Sequence, residues 1–522
     1  MIKFQAANRL LSRLPGPLGT ALLLYLAFSS SDFAFCIWFA FIPLFRSIRK
    51  RPPLQALIQG LISGFIFYYF NLFWITNSIR NFSTLPLPLV WLVLALLAIY
   101  LSLYFGLFSL LLAISPVVSW FSTLFLASSW ALLEWLRGTL LVGFPWNNLG
   151  ITITPTSAFS LLLSYGGIYT LSFLIMYTNL ALYALTSSRK KGPPVRRRQA
   201  AALLALPALY FLLLAGGSHA GADNLDYSRP ITINIIQPNI PQGEKWDPAC
   251  RERNFSILEQ LSLEAATAVK PGTPHLVIWP EASLPDFFQD APILRRRLEK
   301  LTRQGHFYLL TGSPQYNPTG AGQYQYFNSA LLFAPDGRLI AGYDKIKLVP
   351  FGEFTPLAQI FPFLGKMVQG ADFTAGQQPE PMKTGSFSLS PSICYEGIFP
   401  EFIAAGMARK AGFLVNITND AWFGNSDGPR QHLFNVRPRA MENRCYLLRC
   451  ANTGISAVVG PDGRIVSQLP LNTRGRLQAI IYPATGTTFY TRHPHLSIFL
   501  LALIAAFSTV IMRRSKPDTG FS

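Results

Sequence analysis

The sequence predicts a polytopic α-helical membrane domain of about eight transmembrane helices, joined to an α/β domain of two sheets covered by helices. Three observations carry this. Half of the 522 residues are hydrophobic and the mean hydropathy is +0.31, which is too apolar for an ordinary water-soluble chain and too long for one domain. The formal charge of +19 gathers in short basic clusters between apolar runs, which is the membrane pattern and not that of a nucleic-acid partner. From Ile231 onward, charges and turns appear, and strand and helix patterns alternate.

Lys3, Arg9 and Arg13 precede an apolar stretch at 18–45. A signal peptide would end at a small-residue cleavage site. None follows here and further apolar segments do, so the stretch reads as an uncleaved anchor. It is broken at Ser29-Ser-Ser-Asp32 and meets Arg46, Arg49, Lys50 and Arg51. With both basic flanks inside, it crosses an even number of times, as two short helices. Further spans are predicted at 54–75, 87–114, 117–136, 158–185 and 200–216. Arg189-Lys-Lys and Arg196-Arg-Arg198 mark the loop between the last two as cytoplasmic, and a final span at 496–512 ends at Arg513, Arg514 and Lys516. Eight spans with both termini inside put residues 223–492 on the outer face. The loops 76–86 and 138–155 share that side, and Trp146 in Gly143-Phe-Pro-Trp-Asn-Asn148 suits the membrane–water interface. The predicted domains are 1–222, 223–492 and 493–522.

In the middle domain, 231–236 reads as a strand, 248–269 as a helix, 275–279 as a buried strand, 292–304 as a basic helix and 307–312 as a strand. Strands at 327–333 and 338–343 flank the hairpin signal Pro335-Asp-Gly337. The signal recurs at Pro461-Asp-Gly463, between 456–459 and 464–468. A strand at 387–393 leads to Cys394, followed by a helix at 401–410, a strand at 413–417 and a helix at 430–442. Strands with one or two helices between them, plus hairpins, argue for two covered sheets.

Three strand-like runs end in complementary chemistry. They are Ser388-Leu-Ser-Pro-Ser-Ile-Cys394, His275-Leu-Val-Ile-Trp-Pro-Glu281 and Leu339-Ile-Ala-Gly-Tyr-Asp-Lys345. C-terminal strand tips are the usual place for reactive groups on an α/β sheet. A thiol needs a base to become a nucleophile, and its tetrahedral adduct needs a cation or N–H donors. Glu281, Lys345 and Cys394 supply base, cation and nucleophile. The five cysteines, Cys36, Cys250, Cys394, Cys445 and Cys450, form no even disulfide framework and no metal spacing. Cys445 and Cys450 are too far apart on an extended strand to pair. No metal and no cofactor is expected.

At Trp279-Pro-Glu-Ala282, at Lys345 with Leu348-Val-Pro-Phe-Gly-Glu353, and at Cys394-Tyr-Glu396, the sequence resembles the Glu-Lys-Cys pattern of the nitrilase superfamily. With its flanking apolar segments, nearly the whole chain is similar to the bacterial apolipoprotein N-acyltransferase family. Further matching stretches are Pro241-Gln-Gly-Glu-Lys-Trp246, 416–424 and Asn452-Thr-Gly-Ile-Ser456. One departure is Lys345-Ile-Lys347, where the pattern often reads Lys-x-His; Lys347 cannot accept a proton as a neutral histidine does, so that position reads as supporting.

The resemblance implies an α-β-β-α sandwich on the periplasmic face of the inner membrane. It implies transfer of a fatty acyl chain from a membrane phospholipid to the α-amine of the N-terminal cysteine of a diacylated apolipoprotein, through a thioester on Cys394. Glu281 would act as base, Lys345 would stabilise the oxyanion, and Glu353 would orient one of them. Tyr395 and Glu396 would support the site, Glu396 either as a partner behind it or as a helix N-terminal acid before Phe399-Pro400. The apolar run 354–368, with Phe354 and Phe361, reads either as core packing or as an arm that receives acyl chains; Trp246 and Trp422 could serve with it.

Three rival readings differ in class. Gly424-Asn-Ser-Asp-Gly428, near His432 and Asp420, matches a serine-lipase elbow, but residues 420–423 separate it from the preceding strand. A membrane-anchored nitrilase-type amidase would use water as acceptor. A transporter would want charges within its spans, and Glu134 and Arg137 are nearly the only candidates.

Overall fold

The computed structural model describes residues 14–187 except 84, 116–118 and 154–156; residues 202–205, 207 and 208; and residues 224–514 except 268, 270, 271, 321 and 357–371. Ahead of the sheets come α1 (Pro15–Ser29), a 3-10 segment (Ser31–Trp38), α2 (Ile42–Ile48), α3 (Pro53–Asn71), α4 (Ile75–Phe82), α5 (Leu87–Ile114), α6 (Trp120–Thr139) and α7 (Ser157–Ser187). Prolines in the first turns of α1, α2, α3 and α5 cost no hydrogen bond there and preset the helical φ.

α1 stops where Ser30 turns extended and its side chain accepts from the Asp32 amide at 3.2 Å. The second half of the 18–45 stretch is therefore no single α-helix but the 3-10 segment followed by α2. Asn179 of α7 makes this irregular backbone tolerable. Its Oδ1 accepts from the Phe41 amide at 3.0 Å and its Nδ2 donates to the Ile37 carbonyl at 2.8 Å, leaving neither group bare.

Among the described residues, five segments are long and apolar enough to cross a membrane, where the sequence predicts eight: Ser31–Ile48, Pro53–Asn71, Leu87–Ile114, Phe159–Ser187 and Leu496–Arg514. α1 is shorter. The serines of α6, with Glu134 and Arg137, make it more polar. Most of the expected span at 200–216 lies outside the described residues.

α7 is broken at Gly167, whose φ of +67° suits glycine. A Cβ there would meet the Tyr490 ring at 2.3 Å. The break frees the Ile168 amide, which donates to Glu442 Oε1 at 3.0 Å.

The remaining chain folds as β1 (Ile231–Gln237), α8 (Gln242–Lys245), α9 (Arg251–Ala266), β2 (His275–Ile278), α10 (Pro292–Gly305), β3 (Tyr308–Gly320), β4 (Gln323–Phe333), β5 (Leu339–Asp344), β6 (Met382–Lys383), β7 (Ser388–Ile393), α11 (Pro400–Ala408), β8 (Phe413–Thr418), α12 (Gly428–Val436), α13 (Pro438–Asn443), β9 (Leu447–Ala451), β10 (Ser456–Val459), β11 (Ile465–Leu469), β12 (Gly475–Ile481), α14 (Phe489–Arg492) and α15 (Leu496–Arg514). Two six-stranded sheets result, ordered β12-β1-β2-β3-β4-β5 and β11-β10-β9-β8-β7-β6. Each has a parallel centre, β1-β2-β3 in one and β7-β8-β9 in the other, with antiparallel margins.

Strand alternation builds the layers. Ile231, Ile233 and Ile235 of β1 pack between the sheets against Phe413, Val415 and Ile417 of β8. Ile236 turns outward to α9 and α10, and Leu414 turns outward to α11–α13 and the membrane helices. Two expectations are corrected. The helix expected at 430–442 is two, α12 and α13, because Pro438 cannot continue the first and instead starts the second. Trp146 is not at a lipid interface. It is 2% exposed and donates to Gln431 Oε1 at 2.9 Å, between the membrane helices and the second sheet's helical layer.

Candidate active site

Glu281 and Lys345 come together at strand tips of one sheet, near enough for both to bear on the Cys394 thiol. Glu281 follows β2, and Gly312 of β3 passes so close that a Cβ there would lie 2.7 Å from the Glu281 Cα. Glu281 Oε1 accepts from Asn328 Nδ2 at 2.7 Å and Oε2 from the Asn419 amide at 2.8 Å. Lys345 Nζ lies 3.5 Å from Glu281 Oε1 and 2.8 Å from each Glu353 oxygen. Asn328 Nδ2 also donates to Glu353 Oε1 at 2.8 Å, so one amide bridges the two acids. The Lys345 side chain is 1% exposed.

Cys394 follows β7 in a left-handed turn, φ +54°, and begins a 3-10 segment, Cys394–Ile398. Glu396 pins that turn: its carboxylate accepts from the Ile393 amide at 2.7 Å, the Ile346 amide at 2.5 Å, the Lys347 amide at 3.0 Å and the Tyr343 hydroxyl at 2.8 Å. It thus ties the tip of β5 to the tip of β7. It sits in the first turn of the 3-10 segment, ahead of α11, which begins only at Pro400. The Tyr395 hydroxyl donates to the Gly143 carbonyl at 2.9 Å, reaching the 138–155 loop. The Lys347 ammonium stacks over the Phe399 ring at 5.4 Å.

Electrostatics follow from this burial. Desolvation pushes the Cys394 thiol up and the negative Glu281 adds to it, against the pull of Lys345. At Lys345, burial works to lower the pKa, but Glu353 and Glu281 outweigh it and the net shift is upward, so the ammonium stays charged. Burial pushes Glu396 up to about 7, against its backbone donors. The arrangement offers a neutral thiol beside a carboxylate that can take its proton as it attacks, and a fixed cation for a developing oxyanion.

The sequence does not mark several contributors. Lys245, buried in the matching 241–246 stretch, donates to the Glu281 carbonyl at 2.8 Å, and burial lowers its pKa to about 8. Asn328 lies mid-strand in β4 and Tyr343 one residue from the end of β5, with no local signal to distinguish them from other polar strand residues. Behind Cys394 lies a buried group. His432 Nε2 is 3.2 Å from the Cys394 carbonyl and Nδ1 is 2.9 Å from Asp420 Oδ1, while Arg449 donates to Asp420 Oδ2 at 2.7 Å. The motif around Ser426 does not share this pair: the Ser426 hydroxyl donates to the Phe423 carbonyl at 2.8 Å.

The expected lid residues sit beside site residues in the chain. Trp246 follows Lys245 and is 47% exposed, and Phe354 follows Glu353. The Trp422 carbonyl accepts from the Ser78 hydroxyl at 3.1 Å. Phe361 and most of the 354–368 run lie outside the described residues.

Two family models match the chain: apolipoprotein N-acyltransferase N-terminal domain over residues 20–181, and carbon-nitrogen hydrolase over residues 232–489. The chain is 35% identical over 501 residues to an apolipoprotein N-acyltransferase of Geobacter metallireducens, covering 94% of this chain and 93% of that protein. It is 31% identical over 493 residues to one of Azotobacter vinelandii, covering 91% and 90%. Among solved structures, an amidase from Nesterenkonia is similar over 52% of this chain and 95% of its own, at 21% identity and a TM-score of 0.37.

Proposed function

This chain belongs to the apolipoprotein N-acyltransferase family, and we propose that it acylates the N-terminal amine of diacylated apolipoproteins, with a membrane phospholipid as donor and Cys394 as acyl carrier. The observation that supports this most is the buried Glu281–Lys345–Glu353 cluster, at the strand tips that face the Cys394 turn. In the first half-reaction Glu281 takes the thiol proton as sulfur bonds to the ester carbonyl carbon. Lys345 and backbone N–H groups hold the oxyanion. The ester C–O bond breaks, and the Glu281 proton passes to the departing lysophospholipid. In the second, the apolipoprotein amine attacks the thioester, Glu281 takes the amine proton, the C–S bond breaks and the thiol is restored. Glu353 and Asn328 orient Lys345 and Glu281, while Glu396 and Tyr395 hold the turn. Trp246, Phe354, Phe361 and Trp422 cover the acyl chain and keep water from the thioester.

The catalytic domain is taken as residues 223–492, between a membrane domain at 1–222 and a closing span at 493–522. The basic loop 189–198 supports an inner-membrane protein whose catalytic domain faces the periplasm. The test is single-substrate labelling. Phospholipid alone should add one acyl mass to Cys394, removable by neutral hydroxylamine and discharged by an acceptor lipopeptide; Cys394→Ala and Glu281→Gln should abolish both. Transfer that proceeds normally in Cys394→Ala refutes the reading. Rapid loss of the label to water without acceptor would support the anchored hydrolase instead.

A further inference from the structure

We propose that His432 is a positioning residue for the nucleophile: it grips the Cys394 carbonyl from behind and so aims the Tyr395 amide at the oxyanion. The inference rests on Cys394 being the acyl carrier. The Glu-Lys-Cys chemistry makes no use of the Asp420–His432 pair, yet both side chains are buried and fully engaged.

Two donors converge on the Cys394 carbonyl, His432 Nε2 at 3.2 Å and Asn416 Nδ2 at 3.2 Å. Arg449 aligns both. Its Nη1 donates to Asn416 Oδ1 at 2.7 Å, and its Nη2 lies 2.7 Å from Asp420 Oδ2 and 3.0 Å from His432 Nδ1. The imidazole is held between the face of Trp146, 5.6 Å between centroids at 31°, and the edge of Phe423, 5.9 Å at 74°.

The bond to the Cys394 carbonyl, which can only accept, requires a proton on His432 Nε2. When neutral, the ring carries its proton on Nε2 and accepts from Arg449 at Nδ1. When protonated, it donates from Nδ1 to Asp420 and still donates from Nε2. The Cys394–Tyr395 peptide is planar and trans, so its N–H points opposite to its C=O. Holding the oxygen against α12 and β8 directs the Tyr395 N–H to the opposite edge of that peptide, as a donor for an oxyanion formed on the Cys394 adduct. The 3-10 segment and the Glu396 carboxylate hold the turn from one side, and His432 with Asn416 holds the Cys394 oxygen from the other.

The test compares His432→Asn, whose amide nitrogen can replace only Nδ1, with His432→Gln, whose longer side chain carries a donor to the Nε2 position. Acyl labelling of Cys394 by phospholipid is followed per mole of folded protein in detergent, with kcat and KM for the donor separated. His432→Asn should lower kcat by about ten- to a hundredfold with KM little changed, the scale of a small misplacement at a reacting centre. His432→Gln should recover most of that loss. Equal losses in both variants, tracking a lower melting temperature, or wild-type labelling in His432→Asn, would overturn the inference. Cys394→Ala runs alongside: if it still transfers acyl chains, the site reading fails instead.

Discussion

The two helical layers of the sandwich occupy equivalent places on opposite sheets, and their charges behave differently. On the first sheet, α9 and α10 face water. Their ion pairs lie on the rim: Arg297 meets Glu252 at 2.6 Å and also Glu259, with Glu252 76% exposed. On the second sheet, α11–α13 face the membrane helices. There Arg439 meets Glu442 at 2.9 Å with both side chains at most 2% exposed, and Glu442 also caps the broken α7. The same residue types thus make a solvated margin in one layer and a buried joint in the other. What differs is the surface outside the helices. An exposed pair gains little over water, whereas a buried pair that loses one partner leaves an uncompensated charge.

The largest expected effect lies in the joint. Glu442→Ala at pH 8 should destabilise the protein by about 3–5 kcal/mol, because it strands Arg439 and uncaps Ile168 together. Thermal unfolding in detergent measures this, and a change below about 1 kcal/mol would place Glu442 with the rim charges.

A second effect sharpens the contrast through pH. Burial pushes Glu442 up to about 7, against the pull of Arg439 and the Ile168 amide. Between its ordinary value of 4.5 and 7, the folded protein holds a proton that the unfolded chain has released. The contribution of this group to stability is therefore highest below pH 4.5 and falls as pH rises to 7, by roughly 3 kcal/mol in all. Glu442→Gln should flatten that slope in a series of melting curves from about pH 5 to about pH 8. An unchanged slope would mean that another group carries it.

The smallest effect is on the other layer. Glu252→Ala should cost less than about 1 kcal/mol, and roughly 0.5 M salt should erase most of that. A larger, salt-insensitive loss would mean that the outer layer is also a joint.

The same contrast explains what is legible in the sequence. α10 is legible because few of its residues, among them Leu298 and Leu301, are buried, leaving the rest to form a basic face. α13 is not. All six of its residues are buried, although Arg439, Glu442 and Asn443 look solvated in sequence, and its pattern runs on from α12 across Pro438. Within the site, Glu281, Lys345 and Cys394 are legible as ends of apolar runs. Asn328 and Tyr343 are not: Asn328 meets Glu281 and Glu353 only through strand order within its own sheet, and Tyr343 meets Glu396 only through the packing of one sheet on the other. In sequence, Asp420 and His432 read as partners for Ser426; only the fold turns them toward Cys394.

The break at Gly167 has a consequence for how the protein is made. The second half of α7 starts with an amide whose partner, Glu442, lies 274 residues further along the chain. A ribosome making this protein finishes α7 long before that carboxylate exists. The membrane half therefore waits with an open helix end, and only completion of the second sheet's helical layer closes it. The downstream domain thus serves as the last structural part of the upstream one, and a chain truncated after α7 should fold poorly and be a ready target for quality-control proteolysis.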